Sequence, residues 1–373
     1  MTSSPLEMVV IGGGLVGSTL AWGLARAGLQ TTVLDGADLD PRASRANFAL
    51  VWVQGKGVGK PAYALWSKAS AERWPQLAAA LLEDTGIDVS LNQNGGFSFA
   101  LDPLELETWQ AEMQDIVRET NGRAAPFEVL SGAETRDRLP FVGPDVVGSI
   151  YSPLDGHVNA LRLFRALHMG MKKRNVDYRA GYPIERIEPV RDGFRLTGPK
   201  GTLVAQRIVL AAGLDNNRLA EMVGLHAPMK RSKGQILVTE KCAPFFDYTS
   251  ATMRQTDEGG VMIGDSEETH TAAHATNQDI SAVLANRAVR TFPVLGDLNI
   301  VRSWTGQRVK PLDGLPIYEQ SAAHPGAFIA VCHSGVTLAA NHALVVAPQI
   351  AAGALSHGLA AFGSQRFHAS QTA

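Results

Sequence analysis

The sequence predicts an α/β fold in which a parallel sheet is interrupted by a second domain built on a mostly antiparallel sheet. Residues 6–35 read as strand, helix and strand, with a glycine-rich turn after the first strand. Residues 207–211 are an apolar strand that breaks at Gly213, and residues 327–332 are a strand that runs directly into a helix. Strands that alternate with helices in this way are typical of a parallel sheet.

The glycine-rich turn has the sequence GGGLVG at residues 12–17. Gly12 permits the tight turn, Gly14 lets the backbone approach a phosphate, and Gly17 lets the helix pack close to the strand. The helix N-terminus favours an anion, because its N–H groups are free and the helix dipole is positive there. Asp35 ends the second strand, where a carboxylate accepts ribose hydroxyls. The spacing therefore predicts a Rossmann-like domain that binds FAD or NAD.

Composition and charge exclude several classes of function. The 373 residues suffice for two domains, and 34 Lys and Arg against 36 Asp and Glu give a net charge of −2, which does not favour nucleic acid. Two cysteines, Cys242 and Cys332, fit a reducing compartment and cannot supply the four ligands of an iron–sulfur or zinc site, so no metal is expected. We see no signal peptide, and Pro348 and His357 interrupt the apolar stretch 343–362. We therefore expect a cytoplasmic protein without a membrane span.

The remaining elements indicate that the two domains are interleaved. The predicted helices are 61–82, 104–120, 160–174, 278–291 and a final helix from about Val336. The predicted strands are 176–190, 193–198, 233–240, 259–264 and 299–305, with a hairpin at 89–99. No linker rich in proline or glycine cuts the chain in two. We expect the nucleotide-binding domain to take residues 1–82, 146–226 and 303–373, and a substrate domain to take 83–145 and 227–302.

Two further segments favour FAD over NAD. The strand ending at Gly213 could belong to any α/β protein, but its position nearly two hundred residues after the glycine turn is characteristic of flavoproteins. Residues 328–338, FIAVCHSGVTL, place a helix N-terminus where it can stabilise the negative charge that reduction puts on flavin N1–C2=O. An NAD dehydrogenase, a poorer alternative, would leave both segments without a purpose.

Several motifs resemble those of the D-amino acid oxidase family of FAD enzymes, with glycine oxidase and sarcosine oxidase the most similar. They are residues 12–17 with Asp35, 44–50 (SRANFAL), 155–159 (DGHVN), 209–213 (VLAAG), 233–235 (KGQ), 306–316 (GQRVKPLDGLP) and the His333 loop. The longer segment 44–57, SRANFALVWVQGKG, is similar to the flavoprotein β subunits of heteromeric bacterial dehydrogenases, such as opine oxidases, hydrogen cyanide synthase and amino-acid or hydroxyproline dehydrogenases.

The resemblance, together with the glycine turn, implies a set of FAD contacts. They are Gly12, Gly14, Leu15, Val16, Gly17, Asp35, Ser44, Arg45, Asn47, Phe48, Ala49, Leu50, Ile184, Ala211, Ala212, Gly213, His333, Gly335, Val336 and Thr337. We expect His333 to contact the cofactor and not to act as a base, since no separate base is needed if the amine arrives deprotonated.

Arg308 is the candidate catalytic residue. In the family, the arginine of the segment that contains Arg308 grips the substrate carboxylate, and a guanidinium matches carboxylate geometry with two hydrogen bonds. The alternative is a structural arginine that pairs with Asp313.

Four other residues are candidate substrate contacts. Glu267 and Glu268 lie in an acidic loop that is either merely solvated or receives a cationic substrate tail such as a guanidinium, and the two histidines that follow are poor candidates for a metal pair. Trp52 and Gln54 either face the substrate or belong to the core.

Two departures from the sarcosine oxidases bear on chemistry. No cysteine lies between Cys242 and Cys332, so we expect non-covalent FAD. No lysine lies between Lys241 and Lys310, which argues against direct reduction of oxygen and favours another subunit that carries the electron acceptor or an iron–sulfur cluster.

These expectations define one main function and two alternatives. The main one is FAD-dependent oxidation of the C–N bond of a carboxylated, secondary amine, such as an opine or imino acid, to an imine that water hydrolyses to a keto acid and an amine. The chain would be the catalytic subunit of a heteromeric dehydrogenase. The alternatives are a stand-alone glycine- or D-amino-acid-type oxidase that makes hydrogen peroxide, and a non-catalytic flavoprotein subunit.

Overall fold

The computed structural model describes residues 4–36, 42–44, 46–268 and 275–368. Its strands are β1 Leu6–Ile11, β2 Thr31–Leu34, β3 Leu50–Val51, β4 Gly96–Ala100, β5 Glu128–Ser131, β6 Gly148–Ser152, β7 Gly156–His157, β8 Asp177–Arg179, β9 Arg186–Val190, β10 Gly193–Gly198, β11 Gly201–Leu210, β12 Met229–Thr239, β13 Thr249–Ser250, β14 Met253–Gln255, β15 Val261–Ile263, β16 Ile300–Pro311, β17 Ile317–Gln320 and β18 Ala327–Val331. Its helices are α1 Leu15–Arg26, α2 Pro61–Thr85, α3 Pro103–Glu119, α4 Gly132–Arg138, α5 Ala160–Lys173, α6 Asn216–Leu219, α7 Gln278–Thr291, α8 Ala339–Asn341, α9 Ala347–Ala351 and α10 Gln365–His368.

The first sheet has the strand order β17-β18-β11-β1-β2-β8, and β10 and β9 extend it from the early part of β11. Strands β18, β11, β1, β2 and β8 run parallel. The register pairs Ile11 with both Leu34 and Leu210, and Leu210 with Ile329. Strand ends from three distant parts of the chain therefore lie side by side, which confirms the Rossmann-like prediction.

Helix α1 is buried on almost every side because it lies between the first sheet and the C-terminal helical segment. A side chain at Gly23 could not fit there, since an added Cβ would lie 2.7 Å from Ala343 O. That segment runs through α8, a π-helical turn at His342–Val346 and α9. It begins at Ala339 and not near Val336, because residues 335–338 form a turn.

The second sheet confirms the mostly antiparallel prediction. Its order is β16-β12-β15-β14-β13-β4-β6-β5, and only β13 and β4 pair in parallel. The long pair β12–β16 places Lys233 opposite Gln307 and Gly234 opposite Gly306. The sheet therefore presents β16, which carries Arg308, as its edge strand beside the first domain.

One local prediction differs from the structure. The hairpin expected at 89–99 is wrong: β4 pairs with β6, and Asn92 forms a bridge with His157, so more distant partners replace the local turn. The short strands expected near 176–190 are β8 and β9, with Gly181 at φ 65° between them.

The domain boundaries stay a prediction, and sheet membership shows where they need adjustment. Strands β6 and β16 belong to the second sheet. The boundaries expected at 146 and 303 assign all of β6 and most of β16 to the nucleotide-binding domain instead.

The described ranges contain neither a membrane-spanning helix nor a cluster of metal-binding side chains. No helix there combines the length and apolar character needed to cross a membrane. Nor do three or more His, Cys, Asp or Glu side chains in those ranges gather closely enough to hold a metal ion.

Trp74 links α2 to the turn before the C-terminal helices, and its removal should destabilise the fold. Its ring is fully buried, and its indole N–H donates to Val336 O at 3.0 Å. We expect Trp74→Ala to lower the free energy of unfolding by about 3–5 kcal/mol, measured by denaturant titration. Leu82→Ala, on the exposed side of the same helix, should change it by about 0.5 kcal/mol or less; equal losses would contradict this account.

Candidate cofactor and substrate site

The glycine-rich turn brings β1, α1 and β11 into backbone contact. Gly12 has φ 106°, and an added Cβ would lie 2.4 Å from Ala211 O. At Gly17 an added Cβ would lie 1.9 Å from Gly12 O. Only glycine allows this approach, so the helix N-terminus is held directly over the ends of the central strands.

The N-terminus of α1 offers donors to an anionic group. Gly14 is its N-cap and provides no side-chain acceptor, and the first-turn N–H groups have no intrahelical partners. Ser44 Oγ accepts from Leu15 N at 2.8 Å. Backbone donors beside a neutral hydroxyl suit the pyrophosphate of a dinucleotide.

Asp35 lies at this turn, but several protein donors already use its carboxylate. It accepts from Gly13 N at 2.9 Å, from Arg42 Nη1 at 2.7 Å and from Tyr178 OH at 3.0 Å. A ribose hydroxyl would have to replace one of these donors. The ribose contact of Asp35 stays a prediction, and sequence analysis missed Arg42 and Tyr178 as its partners.

Residues 46–51, which we call the strap, connect the two domains. Arg254 Nε donates to Phe48 O at 2.7 Å, and Ala49 adopts φ 63°, a strained conformation for a residue other than glycine. Asn47 Oδ1 is buried without a hydrogen-bond partner. A buried acceptor of this kind fits a bound group that carries an N–H or O–H. Arg45, the neighbouring predicted contact, lies outside the described residues.

The second and third predicted segments meet the first. Gly335 lies beside Leu15 and Val16, since an added Cβ would be 3.6 and 3.7 Å from their side chains. Thr337 Oγ1 donates to Leu50 O at 3.2 Å, which joins the C-terminal turn to the strap. Gly213, with φ 59°, ends the middle segment.

The other predicted cofactor residues lie on these same segments or behind the sheet. Ala211 and Ala212 follow β11, Val336 is buried in the C-terminal turn, and Ile184 is buried in the core that includes β1 and β11. Three separated segments thus form one cradle that fits FAD.

Arg308 carries a guanidinium that is not paired by the protein. Within the described part of the chain it forms no hydrogen bond or ion pair, and it lies against Gly234, where an added Cβ would be 2.8 Å from Nη2. The alternative pairing with Asp313 is wrong, because Asp313 binds Arg366 Nε at 2.7 Å. The arginine is therefore available to a carboxylate.

His333 lies near Arg308 and Lys56, whose charges both act on it, and we call the region around these three side chains the cleft. Its side chain is accessible to solvent, yet burial among protein atoms and the positive charges of Arg308 and Lys56 lower its pKa to about 4. It is neutral at pH 7 and a weak base there. This supports a contact role over proton transfer.

One of the four predicted substrate contacts needs correction. Glu268 pairs with Lys233 at 3.1 Å, and both side chains are nearly inaccessible, so this carboxylate is not free for a cationic tail. Gln54 donates to Gly96 O and to Asp155, and accepts from Ser98. Its amide thus holds the loop, but the residue also lines the cavity described below, so its substrate contact stays a prediction.

The other two contacts are only partly consistent with a substrate role. Trp52 is 9% exposed and packs against Gly96, which favours the core interpretation. The carboxylate of Glu267 forms an ion pair with Lys310 Nζ at 3.0 Å, but the Glu267 side chain remains partly exposed to solvent.

A cavity of about 500 Å³ adjoins the loop of residues 264–267, and sequence analysis did not predict it. Trp109 and Met113 give it an apolar wall, and Asp265 and Glu267 give it carboxylates. Asp265 has φ 78°, and burial raises its pKa while the charge of Arg308 opposes that rise. Its position directly after β15 was the only sequence signal for this residue.

The converging segments and the free guanidinium define an FAD-dependent oxidoreductase. The chain belongs to the DAO family of FAD dependent oxidoreductases, whose family model matches residues 7–349.

Individual relatives cover nearly the whole chain. It is 62% identical to a subunit of the opine oxidase from Agrobacterium tumefaciens (strain Ach5), over 98% of this chain and 99% of that protein. It is 26% identical to glycine oxidase of Pseudomonas putida over 89% of this chain and 91% of that one. The crystal structure of glycine oxidase from Geobacillus kaustophilus matches with a TM-score of 0.86, at 23% identity over 97% of this chain and 98% of that chain. The family and the fold predicted from sequence are thus confirmed.

The contact between Gly17 and Gly12 provides a test of the cradle. We expect Gly17→Ala to lower the free energy of unfolding by about 1–3 kcal/mol through overpacking and to lower the FAD content of the purified protein. Absorbance at the flavin band and thermal unfolding measure the two effects. Gly36→Ala is the control, because its Cβ would find its first neighbour at 3.8 Å; FAD retention in both variants would contradict the proposed cradle.

Proposed function

We propose that this chain uses non-covalent FAD to oxidise the C–N bond of a carboxylated secondary amine of the opine class, as the catalytic subunit of a heteromeric dehydrogenase. The unpaired guanidinium of Arg308 in the cleft is the observation that carries the proposal. The 62% identity to a protein named as an opine oxidase subunit supports the substrate class, and the word subunit in that name supports a heteromer.

Arg308 would hold the substrate carboxylate by two charge-assisted hydrogen bonds and so fix the Cα–H in position. Bound FAD supplies a two-electron acceptor for the hydride that leaves Cα. The nitrogen lone pair then forms the C=N bond of a protonated imine. Water adds to that carbon, and the C–N bond breaks to give a keto acid and a protonated amine.

The cysteines of the chain support non-covalent binding. Cys332 precedes His333, but burial raises the pKa of its thiol to about 12. Burial also raises the pKa of the Cys242 thiol. Since the thiolate is the reactive form, neither side chain is a good nucleophile toward a flavin.

Acid precipitation tests this conclusion directly. We expect FAD to appear in the supernatant and the protein pellet to be colourless. Yellow colour that stays with the denatured chain would show a covalent bond, and peptide mapping would then identify the residue.

An electron acceptor on a second subunit, or an iron–sulfur cluster there, completes the proposal. The chain has two cysteines, too few for a four-cysteine cluster of its own. It also has no lysine between Lys241 and Lys310, where sarcosine oxidases place the one that activates oxygen. A cytoplasmic location, inferred from the low cysteine content, belongs to the same proposal.

The substrate class is tested by anaerobic titration of the purified chain with opines, imino acids, glycine and D-amino acids. We expect an opine to bleach the flavin absorbance, with electrons passing to a dye faster than to oxygen. Rapid peroxide formation from glycine would favour a stand-alone oxidase. Failure of every amine to bleach bound FAD would favour a non-catalytic role for the chain.

Arg308→Ala should keep FAD but lose about thirtyfold or more in kcat/KM, because losing a partner of a charge pair costs at least about 2 kcal/mol. Gly234→Ala should lower kcat/KM as well, since its Cβ would displace the guanidinium. Gly260→Ala is the matched control, because its added Cβ makes only ordinary contacts. Steady-state dye reduction measures all three, and wild-type kinetics in Arg308→Ala would remove the assignment.

A further inference from the structure

Lys56 lies in the cleft, and the proposed function assigns it no role. It follows the strap between Gly55 and Gly57, both at positive φ. Its Nζ donates to Thr337 Oγ1 at 2.8 Å. The same hydroxyl bonds to Leu50 O and accepts from Trp52 N, each at 3.2 Å. The ammonium group is thus fixed where the C-terminal turn meets the strap, which are two of the segments that form the FAD cradle.

The charge of Lys56 is not compensated by a close carboxylate. No ion pair within 4 Å forms between Lys56 and any acidic group of the described chain, and the carboxylate that acts on it most is Asp155. Asp155 is itself buried and accepts hydrogen bonds from Val53 N and Gln54 Nε2. An ammonium group that is partly withdrawn from water and lacks a paired anion gains when a negative group approaches it.

The surroundings of Lys56 identify it as a residue that lines the cleft. Its side chain is partly accessible to solvent, although burial lowers its pKa to about 8 and that of Asp155 is raised to about 7. Its charge acts on His333, as that of Arg308 does. Lys310 acts on His333 in the same direction, whereas Glu267 opposes the three cations. Arg308 is carried by β16 of the second sheet, and Lys56 by the loop that follows the strap.

We propose that Lys56 stabilises the negative charge that reduction would add to bound flavin, acting from the junction of the C-terminal turn and the strap. A hydride carries two electrons and one proton, so its transfer to FAD would add one negative charge overall. A fixed ammonium group nearby would favour that product and so raise the reduction potential. Arg308 anchors the substrate, whereas Lys56 acts on the cofactor.

The inference rests on the proposed function only in requiring bound FAD, and it can be tested without substrate. The variants are Lys56→Met, which removes the charge, and Lys56→Arg, which keeps it. Lys60→Met is the matched control, because Lys60 is exposed at the end of the same loop. Each purified holoenzyme is titrated with sulfite, whose flavin adduct is also anionic, and its reduction potential is measured against reference dyes.

We expect Lys56→Met to weaken sulfite binding by about tenfold or more and to lower the potential by about 30 mV, the equivalent of tenfold for a two-electron couple. Lys56→Arg and Lys60→Met should stay close to the wild type. Unchanged sulfite binding and potential in Lys56→Met would overturn the inference while leaving the proposed function intact. The inference would also be overturned if Lys56→Met kept the wild-type reduction potential but shifted the pH profile of kcat/KM. That result would indicate that Lys56 acts as a base toward the amine.

If Lys56→Met fails to retain FAD, the reduction potentials of Lys56→Gln and Lys56→Arg are compared instead. Equal potentials in those two variants would overturn the role of the charge. A wild-type protein that binds no FAD would instead refute the proposed function itself.

Discussion

The backbone contact at the glycine turn is the constraint on which the rest of the structure depends. Gly12 and Gly17 allow the start of α1 to lie directly against the end of β11. The parallel register then brings the ends of β1, β2, β11 and β18 to one edge of the sheet. Every predicted cofactor segment that the structure describes follows one of these strand ends or packs against one. The location of the cleft is therefore a consequence of sheet topology.

The cleft has an uneven charge distribution that suits its ligands. Arg308 and Lys56 contribute positive charge with no carboxylate paired to either in the described ranges, whereas Glu268 and Glu267 are paired with Lys233 and Lys310. An anionic dinucleotide and a carboxylated substrate both gain from such a field, because burial weakens the screening of charge by water. The pKa of His333, lowered by burial and by the two cations, is a consequence of the same arrangement.

The strap is held from both domains. Arg254, a buried residue of the second sheet, donates to Phe48 O, and Thr337 of the first domain donates to Leu50 O. Burial lowers the pKa of Arg254 to about 10, which leaves it charged at pH 7. The strained backbone of Ala49 is thus fixed by hydrogen bonds on either side of it. A rigid strap keeps Asn47 and Lys56 in defined positions toward the cofactor.

The sequence by itself determined the fold class and the cofactor-binding edge, because glycine spacing and apolar strands are local patterns with few structural solutions. It also identified Arg308 and the strap. It could not decide whether Arg308 pairs with Asp313, nor show that Glu268 is taken by Lys233. Only the tertiary structure settled those points. Ion pairs such as Asp313–Arg366, and strand pairs such as β4–β6, join residues whose distance in the chain carries no signal, and they form only when each domain folds.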